Sequence, residues 1–229
     1  MNETLITGDG SVTIFKADLN ESYHSRHGAL TESRHVFIEA GLKEALIRFG
    51  LKLNILEIGF GTGLNTLLTL QECRKHQMEV WYTAIENNPV APDLLQSLQY
   101  ANASGYPEDE KVFERMHDIP FNVAAELTSD FVIEKRLMDA REFSDSPYRY
   151  HLVYFDAFTP RVQPELWTEE VFRNIHAAMA PNGVLVTYSS KSDVQRMLKS
   201  IGFQVEKLEG PPGKREMIRA SAHKGVFAL

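Results

Sequence analysis

Residues 56–65 decide the fold, and they read Leu56-Glu57-Ile58-Gly59-Phe60-Gly61-Thr62-Gly63-Leu64-Asn65. The apolar run Leu53–Ile58 predicts a buried strand, and Asn65–His76 predicts the helix that follows it. Glycine has no Cβ and accepts positive φ, so a glycine-rich turn between a strand and a helix lets a ligand approach the backbone closely. The stretch therefore favours a ligand site at this turn over a turn that serves the fold alone.

The spacing of the glycines narrows the class of ligand. A dinucleotide fold requires a third glycine at position 64, where Leu64 stands, and a phosphate-binding loop requires a Gly-Lys-Ser/Thr sequence that is absent here. The G-x-G-x-G spacing, with Glu57 two residues ahead of it, resembles the first motif of class I methyltransferases. That resemblance implies S-adenosylmethionine, which carries an amino-acid tail and no phosphate. The residues expected to bind it here are Glu57, Gly59, Gly61, Gly63 and Asn65.

The rest of the chain alternates strand-like apolar runs with helix-like segments, which is typical of a doubly wound α/β sheet. The further strands expected are Val80–Ile85, Phe121–Leu127, Phe131–Leu137, Tyr150–Phe155, Val184–Tyr188, Phe203–Leu208 and Glu216–Ala220. The further helices expected are Ala91–Tyr100, Trp167–Ala180 and Val194–Ser200. The second and third of these strands are close enough in sequence to form an antiparallel hairpin. We therefore expect a Rossmann-like, mostly parallel sheet of the class I methyltransferase type.

The chain is long enough for one α/β domain with small additions. Residues 1–52 precede the first core strand, and we expect them to form a small N-terminal cap packed on the core. This cap is expected to contain one amphipathic helix near Ser33–Phe49. Residues 53–229 are expected to form the Rossmann-like domain, so that the chain is a single globular unit.

Two acidic residues follow strands in the manner of a nucleoside-binding fold. Glu86 ends the strand Val80–Ile85, where an acidic side chain can accept hydrogen bonds from both ribose hydroxyls. Asp139 follows Phe131–Leu137, where acidic residues in this fold class reach the adenine amino group, and the backbone of Ala140 would touch the ring edge. The competing interpretations are an exposed glutamate at a strand end and a turn-forming aspartate.

Asp156 is the carboxylate expected nearest to the chemistry. It stands at the carboxyl end of the buried strand Tyr150–Phe155, and open parallel sheets bind ligands beyond such strand ends. Asp156 is therefore expected to face the methyl group of the cofactor. Capping of the next helix is the competing role, but the stretch from Pro160 to Pro164 delays that helix until about Trp167.

Charge is unevenly distributed along the chain. The formal net charge is −7, which taken alone argues against a nucleic-acid partner. Residues 1–184 hold 16 Lys and Arg against 27 Asp and Glu, whereas residues 185–229 hold 8 against 4. The last fifth of the chain is therefore a basic segment on an acidic body, which suits either a solvated surface or a local face for a polyanion.

The cysteine and histidine residues limit where in the cell the protein can be expected and whether it binds a metal ion. Cys73 is the single cysteine of the chain, so an internal disulfide is impossible. The N-terminus lacks the basic-then-apolar order of a signal peptide, and no apolar run has the roughly 18 residues of a membrane helix. We expect a cytoplasmic protein without a membrane span. The eight histidines show no metal-ligand spacing, so no metal is expected.

Further stretches resemble one particular family. They are Tyr23-His24-Ser25, residues 30–37, Phe155-Asp156-Ala157-Phe158-Thr159-Pro160, residues 163–168, Thr187-Tyr188-Ser189-Ser190 and Gly213-Lys214-Arg215-Glu216-Met217. Together with the glycine motif they resemble the methyltransferase half of the bacterial tRNA wobble-uridine modification enzymes of the MnmC family, over about residues 20–220. Two stretches depart from the family: residues 210–213 read Gly-Pro-Pro-Gly instead of Gly-Phe-Gly, and residues 191–193 replace a glycine-containing turn.

The resemblance implies an activity, a substrate and a set of contact residues. Such a protein transfers a methyl group from S-adenosylmethionine to the aminomethyl nitrogen of 5-aminomethyl(-2-thio)uridine in tRNA, with Asp156 as the catalytic residue. Substrate and tRNA contacts are expected at Glu32, Arg34, Phe158, Tyr188, Lys199, Lys214 and Arg215. Since the chain shows no second glycine fingerprint, it resembles a stand-alone methyltransferase without FAD. A separate enzyme would then supply the aminomethyl precursor.

Other functions fit parts of the sequence. A methyltransferase for a small-molecule amine would share the fold and the cofactor, but it assigns no role to the basic segment. An aminopropyltransferase would also place acidic residues around an amine, and the Lys214-Arg215-Glu216 sequence does not favour it. A non-catalytic module that binds the cofactor or RNA would tolerate replacement of Asp156. For Arg215, an internal ion pair is nearly as plausible as a phosphate contact, and the alternative RNA surface lies around Arg26 and Arg34.

Overall fold

The computed structural model describes residues 2–222, and its strands build two sheets. In chain order the strands are β1 (Glu3–Ile6), β2 (Val12–Lys16), β3 (Glu21–Ser22), β4 (Lys52–Ile58), β5 (Glu79–Glu86), β6 (Ala124–Thr128), β7 (Phe131–Leu137), β8 (Tyr150–Phe155), β9 (Met179–Thr187), β10 (Phe203–Glu209) and β11 (Glu216–Ala222). The main sheet has the order β10-β11-β9-β8-β4-β5-β7-β6, and the smaller one has the order β1-β2-β3.

The helices lie between the strands of the main sheet. They are α1 (Ala29–Ser33), α2 (Lys43–Phe49), α3 (Leu64–His76), α4 (Pro92–Leu95), α5 (Tyr100–Ser104), α6 (Glu110–Asp118), α7 (Glu169–Ala178) and α8 (Ser192–Ile201). A π-helical stretch, Arg34–Leu42, joins α1 to α2 without a break. Strands β9, β8, β4, β5 and β7 pair in parallel, while β6, β10 and β11 pair antiparallel. The expectation of a mostly parallel α/β sheet is therefore confirmed.

Strand β4 shows how the sequence produces a sheet that is covered on both faces. Successive side chains of a strand point to opposite faces, so a strand buried on both sides is apolar throughout. Leu53 and Ile55 pack in the core on the side of the π-helical stretch and α3. Leu56 and Ile58 pack in the core on the side of α7 and α8. The parallel strands therefore leave only their ends accessible to a ligand.

The N-terminal region combines the small antiparallel sheet with the helices around the π-helical stretch. The helix expected near Ser33–Phe49 begins earlier, at Ala29, and runs to Phe49. Its π-helical part packs against β8, β9 and α3. In the described residues 2–222, no helix is both long enough and apolar enough to cross a membrane.

Several element bounds differ from those expected. The helix expected over Ala91–Tyr100 is split into α4 and α5, because Gln99 takes a left-handed φ of 48° between them. Helix α6 was not expected at all. The hairpin of β6 and β7 is present, but β6 begins at Ala124 rather than Phe121.

The helix expected over Trp167–Ala180 is also shorter than expected, since α7 covers only Glu169–Ala178. Thr168 caps the start of α7 by accepting a hydrogen bond from the Val171 N–H. The chain turns into β9 already at Met179, so this strand includes the Pro-Asn-Gly sequence that had been expected to separate helix from strand. The bulge in the pairing of β8 with β9 accommodates these extra residues.

Candidate functional site

A cavity of about 570 Å³ lies beyond the carboxyl ends of β4, β5 and β8. The small N-terminal sheet and the loop between β10 and β11 contribute the opposite walls. Of the residues singled out from the sequence, those that line it are Glu32, Gly59, Gly61, Asn65, Glu86, Ala140, Asp156, Phe158, Tyr188 and Lys214. The folded chain therefore brings together residues from positions that are up to 182 apart in sequence.

The glycine turn approaches the end of β8 so closely that a side chain would not fit. Gly59 has a φ of 89°, and a Cβ built on it would lie 2.7 Å from the backbone oxygen of Asp156. The Asp156 N–H donates in turn to the carbonyl oxygen of Ile58, at 2.9 Å. Gly63 takes a φ of 76° where the chain enters α3. The turn therefore fixes where Asp156 lies relative to the start of α3.

Asn65 joins the buried carboxyl group of Glu57 to the half-buried one of Asp156. Its Nδ2 donates to Glu57 Oε1 at 2.9 Å and to Asp156 Oδ2 at 2.8 Å. The other oxygen of Glu57 accepts from Thr66 Oγ1 at 3.2 Å. Glu57 is fully buried behind the glycine turn and does not line the cavity, so it acts on the cavity through Asn65.

Burial makes both carboxyl groups unusually basic. Burial raises the pKa of Asp156 to about 7, and the nearby Glu32 contributes in the same direction. Burial likewise raises the pKa of Glu57 to about 8, against the hydrogen bond from Asn65. A carboxylate whose pKa lies near neutrality can accept a proton from an amine far more readily than an ordinary one.

One buried acceptor in this cluster has no hydrogen-bond partner. The Oδ1 atom of Asn65 makes no hydrogen bond within the described residues, although it is shielded from solvent. Buried polar atoms are nearly always satisfied, and exceptions often mark a place where a ligand binds. Next to a glycine turn, a free acceptor of this kind fits the ammonium group of an amino-acid tail.

Glu86 occupies the end of β5, where a ribose-binding acid was expected. Its two oxygens accept hydrogen bonds from the Gly61 and Asn88 N–H groups, each at 2.8 Å. A carboxylate offers about four acceptor positions, so two remain for a diol. The side chain is thereby held in place without losing its capacity to bind hydroxyl groups.

Asp139, which was expected to contact the adenine amino group, forms its hydrogen bonds with Arg141. Both of its oxygens bind Arg141, through the backbone N–H at 2.9 Å and the guanidinium at 3.0 and 2.7 Å. It caps the short turn Ala140–Glu142 and does not line the cavity, whereas Ala140 does. The turn-forming interpretation therefore describes its contacts, and only Ala140 is placed to touch a ligand.

The N-terminal helix region and the last hairpin meet over Asp156. Lys214 Nζ donates to Glu32 Oε1 at 2.6 Å, and Glu32 Oε2 accepts from the Ser25 N–H at 2.7 Å. The same ammonium lies 3.7 Å from the centre of the Tyr188 ring, whose hydroxyl donates to the Ala157 carbonyl at 2.8 Å. Lys214 is thus a wall residue of the cavity rather than an outward phosphate contact.

Two other expected contact residues lie away from the cavity. Arg34 points to α5 and donates to the Ser104 carbonyl at 2.9 Å. Lys199 is exposed near the end of α8, which leads to the opposite edge of the sheet. Because α8 runs antiparallel to the strands it follows, only its first turn lies near the cavity. Arg215 is exposed, and no ion pair forms at its side chain within residues 2–222.

No site role was expected from the sequence for three cavity residues in or next to the N-terminal sheet, and Arg26 was expected only as part of an alternative RNA surface. Lys16, Tyr23, His24 and Arg26 all line the cavity. His24 is buried between Thr13 and Thr62, and burial lowers its pKa to about 4, so it is neutral at pH 7. The available signal was the family-like Tyr23-His24-Ser25 stretch, since neither charge nor periodicity marks these residues.

The raised carboxyl pKa values predict a pH-dependent stability. The folded protein keeps protons on Glu57 and Asp156 that an unfolded chain releases near the ordinary pKa values of 4.5 and 3.8. The free energy of unfolding should therefore fall as the pH rises through about 7 and 8. Neutral buried His24 and His117 act in the opposite direction only below their ordinary pKa of 6.5.

The two carboxyl groups dominate between pH 6.5 and about 8, because Lys135, whose pKa burial lowers to about 8, acts in the opposite direction only near the upper end of this window. Urea denaturation across it should show the free energy of unfolding decreasing by roughly 1–2 kcal/mol. Glu57→Gln should flatten this dependence, whereas Glu108→Gln, at an exposed position, should leave it unchanged. An equally steep decrease in Glu57→Gln would contradict the assignment.

The comparisons with known proteins agree with this geometry. Residues 109–223 match the family described as S-adenosyl-L-methionine-dependent methyltransferase. Within the described residues no group of three or more His, Cys, Asp or Glu side chains is arranged to hold a metal ion.

Two curated relatives share the name tRNA 5-methylaminomethyl-2-thiouridine biosynthesis bifunctional protein MnmC. The one from Aromatoleum aromaticum is 30% identical over 231 residues, which is 96% of this chain and 35% of the relative. The one from Paraburkholderia xenovorans is 27% identical over 217 residues, which is 90% of this chain and 33% of the relative. The chain therefore spans about a third of the length of these relatives.

A solved structure matches almost the whole chain. It is MNMC2 from Aquifex aeolicus, with a TM-score of 0.77 and 27% identity, and the match covers 97% of this chain and 70% of that chain. The sheet, the glycine turn and the matched family thus lead to one conclusion. The chain belongs to the S-adenosyl-L-methionine-dependent methyltransferase family, and within it to the type that forms the methyltransferase half of MnmC.

Proposed function

We propose that this protein methylates the aminomethyl nitrogen of 5-aminomethyl(-2-thio)uridine at the wobble position of tRNA, giving the methylaminomethyl form. The observation that carries the proposal is Asp156, a half-buried carboxyl group with a pKa of about 7 that lines the cavity at the end of β8, beside the glycine turn. An amine substrate needs such a group, because an amine is mostly protonated at neutral pH and only its neutral form can attack a methyl group.

The cofactor proposal rests on the donors and acceptors around the glycine turn. The free Oδ1 of Asn65 would accept from the amino group of the methionine tail, and Glu86 would accept from the ribose hydroxyls. Ala140 lies where an adenine edge would contact the backbone. Bound S-adenosylmethionine would supply an electrophilic methyl group on its sulfonium.

Asp156 would act on the amine in two ways. Its carboxylate can take one proton from the substrate ammonium, because burial and the neighbouring Glu32 raise its pKa. It can also accept an N–H hydrogen bond and so orient the nitrogen lone pair toward the methyl group. Asn65 holds the carboxyl group in place from the other side, at 2.8 Å.

Aromatic side chains form the proposed base pocket. Tyr23 and Phe158 meet edge to face, with ring centres 5.2 Å apart, on one side of Asp156. Tyr188 lies on another side with the Lys214 ammonium over its ring. Flat aromatic walls suit a flipped-out base, which protein sites hold by stacking and by hydrogen bonds to its edges.

The proposed tRNA surface is narrower than the basic segment of the sequence. Within the described part of that segment, four cations are neutralised by nearby carboxylates: Arg196, Lys207, Lys214 and Arg219. Lys191 and Arg215 are exposed, lie at the cavity edge of the sheet and make no ion pair within residues 2–222. These two are our choices for phosphate contacts.

Charge reversal can test this surface. Lys191→Glu and Arg215→Glu should each weaken tRNA binding roughly three- to tenfold at low salt and flatten its salt dependence, because each removes a phosphate contact. Lys199→Glu, on the far end of the same helix as Lys191, is the matched control and should change little. An equal loss of tRNA affinity in all three variants would mean that the RNA surface lies elsewhere, for instance near the N-terminal sheet around Arg26.

The activity itself is tested with radiolabelled S-adenosylmethionine and bulk tRNA that carries the aminomethyl group. We expect label in the wobble nucleoside, and none in tRNA that lacks the precursor. Label transferred to free amines but never to tRNA would favour the small-molecule alternative. A separate enzyme would have to supply the precursor, which places this reaction after an amine-forming step on the same nucleoside.

A further inference from the structure

A second cavity, of about 580 Å³, lies between the glycine turn, α6 and β7, and we call it the α6 cavity. It shares only Phe60 and Gly61 with the cavity described above. Its walls are mostly apolar and include Phe60, Val90, Phe113 and Phe121. The proposed methyl transfer assigns no role to this space.

Lys135 contributes an unusual positive charge to the α6 cavity. The residue is 1% exposed, and its Nζ donates one hydrogen bond, to the His117 carbonyl at 2.7 Å. Within residues 2–222, no carboxylate lies within the 4.0 Å of an ion pair. Lysines are almost never fully buried unless they are paired, so this ammonium lacks its expected partner.

The surroundings of Lys135 only partly compensate for the missing partner. Its Nζ lies 4.9 Å from the centre of the Phe121 ring and 5.6 Å from that of Phe60, which stabilises a cation modestly. Burial lowers the pKa of Lys135 to about 8, so the amine still carries its charge at pH 7. Two of its three N–H groups remain available, since one is used by His117.

His117, whose imidazole interacts with the Thr62 backbone, places a second polar group in the α6 cavity. Its imidazole is buried among Phe60 and Phe113, with ring centres 5.3 and 4.8 Å away. Burial lowers its pKa to about 4, so it is neutral at pH 7 and leaves Lys135 as the buried charge. The cavity thus combines one unpaired cation with aromatic walls.

The outer rim restricts what such a cation can bind. Helix α6 places Glu110, Glu114 and Asp118 along the α6 cavity, and Asp118 acts on Lys135 from nearby. These carboxylates repel a polyanion such as an RNA phosphate chain. A cationic ligand would in turn be repelled by the buried ammonium group of Lys135. A ligand with one negative charge at its inner end and an uncharged, flat body satisfies both conditions.

We propose that the α6 cavity binds a small organic monocarboxylate with a flat apolar body, whose carboxylate pairs with Lys135. The carboxylate would accept the two free N–H groups of the ammonium, and the body would lie against Phe113 and Phe121. Such charge-assisted hydrogen bonds are stronger than neutral ones, and they gain further from the low dielectric of a buried site.

The test uses isothermal titration calorimetry of the whole protein with benzoate and phenylacetate at pH 7. We expect binding that weakens at least about tenfold in Lys135→Met, as loss of a charged hydrogen bond implies. The control Lys111→Met removes an exposed lysine from α6 and should leave the affinity unchanged. Benzamide, which keeps the shape without the charge, should bind at least about tenfold more weakly than benzoate. Saturation with S-adenosylhomocysteine should not displace benzoate.

A second measurement needs no variant. Benzoate should raise the pKa of Lys135, followed by the 13Cε resonance of the unmodified, isotope-labelled protein, because an anion favours the charged amine. Benzamide should leave it unchanged. The proposal is overturned if neither carboxylate binds, if benzylamine binds as well as benzoate, or if S-adenosylhomocysteine competes. An unchanged Lys135 pKa at saturating benzoate would overturn it as well.

Discussion

Asp156→Asn should reduce methyl transfer at least about 10²-fold while leaving the affinity for S-adenosylhomocysteine nearly unchanged. The amide keeps the size of the side chain and can still accept the Asn65 hydrogen bond, but it cannot take a proton from an ammonium group. Since the proposed role of the lost group is to take the substrate's proton, the rate should fall while cofactor binding persists. Single-turnover transfer to tRNA and calorimetry of cofactor binding measure the two effects separately.

The pH profile and a matched variant sharpen this prediction. Wild-type activity should rise with pH through about 7 as Asp156 loses its proton, and Asp156→Asn should lack this step. Glu165→Gln removes another carboxylate that lines the same cavity and should lower the rate less than about threefold. Near wild-type turnover in Asp156→Asn would mean that the amine loses its proton elsewhere.

Gly59→Ala should destabilise the fold by about 3 kcal/mol or more and abolish cofactor binding. The new Cβ would stand 2.7 Å from the backbone oxygen of Asp156, and the φ of 89° would add the strain of a left-handed residue. The glycine turn and the end of β8 would have to separate, which displaces Asp156 from the cavity. Thermal denaturation and cofactor calorimetry provide the two measurements.

Gly105→Ala separates backbone strain from steric contact. Gly105 has a nearly identical φ of 92°, but nothing lies within 4 Å of a Cβ built there. That variant should lose only about 1–2 kcal/mol, the cost of the left-handed conformation, and should bind cofactor normally. If the two variants were equally stable, the close approach at Gly59 would not constrain the site.

The sequence predicts best what depends on local patterns. Strand β4, the glycine turn and α3 follow from a buried apolar run, positive-φ glycines and a helical run that adjoin one another in the chain. Asp156 follows equally well, because the carboxyl end of a parallel strand has a known relation to the ligand side of the sheet. The parallel core and its cavity edge could therefore be placed before any coordinates were known.

Features that depend on tertiary pairing could not be predicted in this way. Lys214 and Lys199 were both expected to contact tRNA, but Lys214 pairs with Glu32 in the cavity wall and Lys199 lies away from it. Asp139 looked like a ligand contact because its sequence neighbours are strand-like, and only the structure shows Arg141 occupying its oxygens. Helix α6 was missed because it is short and buries only two residues, Phe113 and Met116, which is too few for a recognisable apolar pattern.

The contact between Glu32 and Lys214 affects how the protein folds while it is being synthesised on the ribosome. These residues are 182 positions apart, so the site cannot close until the last hairpin has been synthesised. Loop-closure entropy makes such long-range contacts late events in folding, whereas β4, α3 and β5 are formed by neighbouring segments. Nascent chains that end before residue 210 should already hold much of the sheet and yet lack the complete cavity at the strand ends. A cofactor present during translation would therefore meet an incomplete cavity. Binding of the substrate would be among the last properties that the chain acquires.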